Sequence, residues 1–530
     1  MMKGVTQMEE KRRVNLDELT VSEMKEYIVT LENQVNVMSE QLKILKQRIF
    51  GSKTEKSSTM IPEQISFEMN EVETVADGSE EQEPEIETIT YTRKKQEGKR
   101  EKDLEGLPVE VVNNTLSDEE LEEVFGGEEY TRLPDDIYKK LEIIPAKFYV
   151  RETHIAIYKG KKSGKIVRAE HRIEMIDKSI ATPSLVATLI NSKYVNALPL
   201  YRQEQYYKSF GMNISRQNMA HWIIKVGKEY IKPIYEELHK KLKEEKVIQA
   251  DETPVRIMKD GREGTNKSYI WVYRTSELKE KEPIVLYDCS LTRGTKNPLE
   301  YLKGFKGTIE CDGFSVYETL ENNVEGISIA NCYAHARRPF AEIVKSLEAS
   351  GKTRGTTAKK AIELIAEIYK AENKLKDLSA EERYNHRQEE VKPLVEVYFA
   401  WLKKIEESLP ANSAISKAVQ YSLNREKGLK KFLEDGNIPI DNSSSERSIK
   451  PVVIGRKNWI IIDTISGAEV SAMLYSIVET AKANNLNTYE YLRYILSEMP
   501  KHIYDKNNDY IHDLLPWSDN LPTQVRTNFE

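Results

Sequence analysis

The chain has 530 residues, of which 39% are hydrophobic and 31% charged, with a formal net charge of −7. That length suits about three or four domains. No apolar run approaches the roughly 20 residues that a membrane helix needs, and the polar start from Met1 to Arg13 lacks the apolar centre of a signal peptide. The three cysteines (Cys289, Cys311 and Cys332) form no CxxC pair. A disulfide framework and a four-ligand zinc site are therefore not expected, and a reducing cytoplasm fits.

The first element in chain order is a heptad. Val21, Met24, Ile28, Leu31, Val35, Met38, Leu42, Leu45 and Ile49 alternate in steps of three and four, the seam of a coiled coil. Thr20 and Glu23 have capping-box spacing, and Gly51 ends the helix. β-Branched residues at most a positions with Leu or Met at d favour a parallel dimer, so 15–50 reads as a dimerisation helix. Residues 51–104 read as a linker, with an acidic stretch and then a basic cluster. Residues 62–92 hold ten acidic side chains and no Lys or Arg. Without them the remainder of the chain is net positive, so the overall sign does not exclude a phosphate-rich partner.

Residues 105–178 alternate short β-like stretches (147–150, 155–158 and 165–169) with turn residues, as in a small β-rich module. Residues 179–245 read as helical. Within them, 198–210, a turn at Gly211, and 215–226 have the layout of a helix-turn-helix, with Ser215 as N-cap. The stretch 198–243 holds nine Lys and Arg against four Glu. Arg216, Gln217 and Asn218, at the start of the second helix, are the candidates to reach base edges.

From 246 the pattern becomes α/β. Strands are predicted at 247–250, 269–273, 284–287, 308–311 and 327–332, with a short helix at 298–305 and another helix from about 334. Three consecutive strands followed by strand–helix alternation suit a ribonuclease-H-like sheet. Accordingly, 246–333 reads as the first part of that core, 334–436 as an all-helical insertion (358–375, 380–409, 415–432), 437–490 as the second part of the core, and 491–530 as a C-terminal tail. Within 437–490 the spacing predicts a strand at 459–462 and a long helix at 468–483.

Asp251 and Asp312 follow predicted strands, at the sheet edge where ligands gather in α/β folds. With Glu446 as a third carboxylate they would make an oxygen-rich site for two divalent cations and in-line phosphoryl transfer. The same residues have structural readings: Asp312-Gly313 is a good turn pair, and Ser443 with Glu446 has capping-box spacing. Cys332 and His335, at i and i+3, lack a second pair for zinc, so Cys332 reads as buried at a strand end. Arg337, Arg338, Arg447, Lys450, Arg456 and Lys457 are candidate phosphate contacts.

Several strings carry a resemblance: ADETPVRI (250–257), CDGFSVYETL (311–320), CYAHARRPF (332–340), DNSSSERSIKPVVIGRKNW (441–459) and SGAEVSAMLYSIVETAKANNL (466–486). Together with IFGSKTEK (49–56) and SKYVNALPLYRQEQ (192–205), they resemble the large, TnpC-type transposase of the insertion-sequence-sixty-six family. The resemblance implies a DDE transposase with a ribonuclease-H-like core. Such an enzyme cuts double-stranded DNA at element ends and joins the freed 3′-hydroxyl to a target. Asp251, Asp312 and Glu446 would be catalytic residues and ligands of two Mg2+ ions, with Mn2+ as a substitute and His335 close by. Partners would be DNA ends and target, a second copy of the chain, and accessory proteins of the same element; no membrane is implied. The location would be bacterial cytoplasm, at the nucleoid. The family's cysteine-rich zinc module has no counterpart here, because 104–171 contains no cysteine, so zinc is not expected. A nuclease-only relative and a non-catalytic DNA-binding regulator are the alternative functions.

Overall fold

The computed structural model describes residues 148–526, except 160, 162–165, 170–172, 263–266, 280, 349–355 and 506, together with Ser117, Glu119, Glu123 and Gly126. The heptad, the linker and most of the module at 105–178 lie outside the described residues. From 173 onward the described residues belong to one compact unit, and 148–169 belong to a second. In the second unit, β1 (Ile157–Lys159) and β2 (Ile166–Arg168) pair antiparallel. Residues 148–150, predicted as strand, are irregular and exposed.

The large unit opens with helices. Thr182 caps α1 (Pro183–Tyr194) by accepting from the Leu185 amide, and Pro183 begins it with φ already set. Next comes α2 (Leu200–Ser209), then a turn in which Gly211 has φ +78, a conformation glycine adopts without cost. Ser215 caps α3 (Arg216–Val226) through the Asn218 amide. A π turn at Gly227–Ile231 joins α3 to α4 (Lys232–Leu242). Gly227 is required there because a Cβ would lie 2.4 Å from Val470 Cγ1.

The sheet follows. Its strands are β3 (Val247–Val255), β5 (Ser268–Thr275), β6 (Val285–Ser290), β7 (Gly307–Cys311) and β8 (Ile327–Asn331), in the order β6-β5-β3-β7-β8. β5 pairs antiparallel with β3 and β6, whereas β3–β7 and β7–β8 are parallel. A short strand β4 (Ile257–Lys259) continues beyond β3. Two helices fill the connections, α5 (Lys296–Tyr301) before β7 and α6 (Ser315–Asn323) after it.

After β8 the chain enters a helical layer with its own core of Tyr333, Phe340, Ile365, Tyr398, Phe399 and Phe432. It comprises α7 (Tyr333–Glu348), α8 (Thr357–Asn373), α9 (Ala380–His386), α10 (Lys392–Glu406), α11 (Ala414–Asn424) and α12 (Glu426–Lys430). The single helix predicted over 380–409 is divided by a π turn at Arg387–Val391. The fully buried Arg387 sits in that turn.

The chain then returns to the sheet through α13 (Ser443–Trp459), β9 (Ile462–Thr464, parallel to β4) and α14 (Ile465–Ala483). Trp459, predicted to begin a strand, instead closes α13. α14 is apolar nearly all round and buried. It also covers an edge: Ser476 Oγ accepts from the Tyr287 amide at 2.7 Å, and Thr480 Oγ1 bonds both the amide and the carbonyl of Val285. These hydroxyls satisfy backbone groups that the edge strand β6 would otherwise leave open. A further helix, α15 (Thr488–Glu498), packs on α1. No helix among the described residues is long and apolar enough to cross a membrane.

Candidate active site

β3 and β7 set the first two carboxylates. Gln249 and Glu310 face each other in the parallel register, and the Gln249 side-chain amide donates to Glu310 Oε2 at 3.0 Å, so both side chains share a face. Asp251 and Asp312 each lie two residues further on, and successive side chains alternate between faces. Asp251 is therefore on the face that Gln249 and Glu310 share, and Asp312 follows directly on the end of the neighbouring strand β7. Asp251 is not at the end of its strand as predicted. β3 runs on to Val255 because β5 continues to pair with it, while the β7 pairing stops at Gln249.

Both aspartates are held by local backbone. Asp251 Oδ1 accepts from the Glu252 amide at 2.8 Å. Asp312 Oδ1 accepts from the Phe314 amide at 2.9 Å, so Asp312-Gly313 also forms the turn its sequence suggests. Gly313 is required there: a Cβ would lie 2.2 Å from Arg425 Nε and 2.6 Å from the Tyr421 hydroxyl.

Glu446 arrives from far along the chain because the start of α13 is pinned beside Asp251. The buried Asn442 donates from Nδ2 to the Ala250 carbonyl at 2.8 Å, and its amide donates to Cys332 Sγ at 3.2 Å. Ser444 Oγ donates to Gln249 Oε1, and Tyr369 donates to Asp441 Oδ2. Cys332 is thus a buried packing and acceptor group. Ser443 is the first helical residue rather than the cap, and Asn442, the cap, makes no side-chain capping bond. Glu446 is therefore not spent on a capping box. Its carboxylate lies 3.2 Å from Arg338 Nη2 and 3.6 Å from His335 Nε2. His335 and Arg338 stand one turn apart on α7. Burial, and then Arg338, hold the imidazole below its usual range.

Asp312 and Glu446 lie near enough to Asp251 to act on its charge. The Asp251 carboxyl is pushed up to about 8, first by burial and then by Glu252, with Asp312 and Glu446 adding to the effect. Negative charge is concentrated there without a cationic side chain on Asp251, which is the situation a divalent cation relieves. All the donors are carboxylate oxygens, the ligands that suit magnesium or manganese. In their present positions, no three acidic, His or Cys side chains among the described residues are grouped closely enough to hold an ion.

Sequence reasoning missed a fourth carboxylate. Glu252 has a side chain only 2% exposed. It is paired with Arg293 and accepts from the Tyr317 hydroxyl at 3.2 Å. The Arg293 guanidinium stacks 3.6 Å from the Phe314 ring centroid. Adjacency to Asp251 was the available signal, but strand alternation would ordinarily send neighbouring side chains apart. Gln249 and Asn442 were also missed, because their role exists only once β3 and α13 meet.

The basic candidates divide by environment. Arg338 touches Glu446. Arg447 is exposed and paired with Glu277 at 2.9 Å. Lys457 is exposed, while Arg337 and Lys450 are half-buried. Arg456 is engaged within the protein, donating to Thr253 Oγ1 at 2.9 Å and to the Pro254 carbonyl. Arg216, Gln217 and Asn218 are all exposed at the start of α3, and Arg216 lies over the Tyr201 ring. They belong to the helical layer before the sheet, and the hydrogen bonds and ion pairs described for the carboxylates come from other elements.

Comparison with known proteins gives a consistent result. A family model described as Transposase IS66 family matches residues 178–470. One described as IS66 C-terminal element matches 476–517, and one described as Transposase C of IS166 homeodomain matches 38–112. Similar relatives come from Sinorhizobium fredii (strain NBRC 101917 / NGR234). The uncharacterized protein y4jD is 28% identical over 485 residues, covering 89% of this chain and 93% of its own. The uncharacterized protein y4qI is 28% identical over 487 residues, covering 90% and 88%. The uncharacterized protein y4hP is 26% identical over 404 residues, covering 74% and 72%.

Proposed function

Because the chain belongs to the IS66 transposase family, we propose that it is a DDE transposase that cuts DNA at the ends of its element and joins them to a target. The observation that carries this reading is that Asp251 and Asp312 each follow by two residues the facing pair Gln249 and Glu310 of adjacent parallel strands, while α13, the helix that carries Glu446, is hydrogen-bonded to the strand that carries Asp251. The strand order, with two antiparallel pairs followed by two parallel ones, supports a ribonuclease-H-like core with α7–α12 as its insertion.

Asp251, Asp312 and Glu446 would hold two divalent ions, magnesium or manganese, which supply Lewis-acid stabilisation of charge on the attacking and leaving oxygens. The protein's own contribution is placement. The Gln249–Ser444 and Asn442–Ala250 bonds fix the helix that carries Glu446 against the strand that carries Asp251. His335 and Arg338 flank the Glu446 carboxylate and would meet an incoming phosphate there. In the first step water attacks the phosphodiester and frees a 3′-hydroxyl; in the second that hydroxyl attacks a target phosphodiester. Neither step needs a covalent bond to the protein. The exposed start of α3 would read sequence at the element end, and residues 21–49 would pair two copies.

The test is a cleavage and joining assay on duplexes carrying the element's flanking ends, with magnesium. Asp251→Asn, Asp312→Asn and Glu446→Gln should each lower both reactions by about a hundred- to a thousandfold, the scale of lost charge stabilisation. DNA affinity should change little. Cleavage without joining would instead make the protein a nuclease. Binding without either reaction would make it a regulator.

A further inference from the structure

The loop that ends α13 holds an unusual residue. Ile460 has φ 58 and ψ −47, and it is the only β-branched side chain with positive φ among the described residues. The Ile461 amide bonds back to the Trp459 carbonyl at 2.5 Å, which makes a γ-turn of the rare, strained positive-φ form. The strain is not repaid by burial, because Ile460 is 64% exposed and Ile461 37%. The turn is fixed on both sides. Arg456 bonds Thr253 and Pro254, Ile462 pairs with Ile257, and the Ile462 amide donates to the Arg256 carbonyl at 2.9 Å. A strained residue held outward by firm surroundings points to a function for the side chain it presents.

Its setting indicates the partner. Arg447, Lys450, Ile454 and Lys457 recur at three- and four-residue spacing along α13, so they share one helix face. Arg447, Ile454 and Lys457 are exposed. This basic stripe begins beside Glu446 and ends at Ile460. Basic residues leading to an exposed apolar tip suit a duplex, with phosphates along the stripe and a base step at the tip.

We propose that Ile460, backed by Ile461, is an apolar wedge that enters the base stack of DNA lying along α13 and unstacks one step away from the scissile phosphate. The inference rests on the DNA-cutting function proposed above. At 1.5 Å per helical residue, Ile460 lies about 20 Å along α13 from Glu446, so the opened step falls roughly six base pairs from the cut at 3.4 Å per step.

The experiment uses the full chain and element-end duplexes with 2-aminopurine placed in turn at each position up to ten base pairs either side of the cut, in metal-free buffer. Wild-type protein should raise fluorescence at least about threefold at one step and little elsewhere, as insertion of an apolar side chain unstacks that step. Ile460→Asn tolerates positive φ but is polar, and Ile460→Gly removes the side chain and the strain together. Both should abolish the rise and slow cleavage with magnesium, and an abasic site at the same step should restore their cleavage. Asp251→Asn should keep the rise while losing cleavage. An unchanged rise in both Ile460 variants overturns the wedge, as does a wild-type chain that cuts without any rise. If the variants change oligomeric state instead of the fluorescence, the tip is a contact between copies of the chain and the wedge is overturned. A wild-type chain that neither binds nor cuts the duplex sinks the functional reading and the wedge with it.

Discussion

Glu446 rests against Arg338 in a contact that is half open to water, with side-chain exposures of 37% and 53%. Pairs of that kind contribute about 0–1 kcal/mol, so a cation can draw the carboxylate away at little cost. Arg338→Ala should therefore lower the midpoint of a manganese titration, by up to about fivefold. A higher midpoint by calorimetry would show that Arg338 supports the site instead. Gly313 illustrates a stricter constraint. Arg425 donates to its carbonyl at 2.7 Å and lies over the Tyr421 ring, so its guanidinium has little freedom to make room for a Cβ. Gly313→Ala should cost about 1–3 kcal/mol, the usual penalty for overpacking, and displace Asp312. Thermal unfolding together with cleavage rates will show both effects. The sequence marked Asp251, Asp312 and Glu446 by their positions after strands and near a helix start. It could not mark Glu252, whose burial against Arg293 and Tyr317 depends on segments that follow it by about 40 and 65 residues.

Two side chains tie separate elements together. Arg387, fully buried in the π turn, bonds Glu372 of α8 and the carbonyls of Phe432 and Asp435. Arg387→Ala leaves Glu372 buried without its partner, which typically costs about 3–5 kcal/mol. Chemical denaturation should register that loss, and the Arg387→Ala, Glu372→Gln double variant should recover part of it. His239 of α4 is stacked on Tyr301 with ring centroids 4.0 Å apart, and its Nε2 donates to the Tyr301 carbonyl at 2.9 Å. Burial, helped by Lys243, lowers its pKa from 6.5 to about 4. Above pH 6.5 the folded and unfolded forms are both neutral. As the pH falls from 6.5 toward 4, the unfolded chain takes up a proton that the folded one refuses, so stability is lost across that window. His239→Gln should flatten the melting temperature against pH there and leave the slope above pH 6.5 unchanged. The helix-turn-helix layout was legible because Gly211 and Ser215 are local signals that need no tertiary partner. Mutating Arg216, Gln217 and Asn218 together should weaken element-end binding much more than random-DNA binding, since each base contact is worth about 1–3 kcal/mol of discrimination. Equal losses in a competition assay would make α3 a backbone-contacting or structural helix.

For the whole molecule, the heptad from Val21 to Ile49 carries the expectation of self-association. Sedimentation of the full chain should show at least a dimer at micromolar concentration, and Leu31→Lys should break it by placing a charge in the seam. A monomeric wild type would send the search for a partner surface elsewhere.

Periodicity and local chemistry were enough for the alternation of strands and helices, the helical character of 334–436, the Ser215 cap and the turn at Gly211, because each depends on residues within one or two turns of one another. The lengths of β3 and α13, the break at Arg387 and the strained Ile460 depend on neighbours distant in the chain. β5 extends β3 past Asp251. Tyr475, whose hydroxyl would lie 2.3 Å from a Cβ at Gly455, packs closely on the helix that Trp459 closes. Asp251 and Glu446 are brought to one site by Gln249, Ser444 and Asn442, whose hydrogen bonds span nearly two hundred residues. No local pattern could encode that meeting, because a buried amide reveals its partner only when the two elements pack and water is gone.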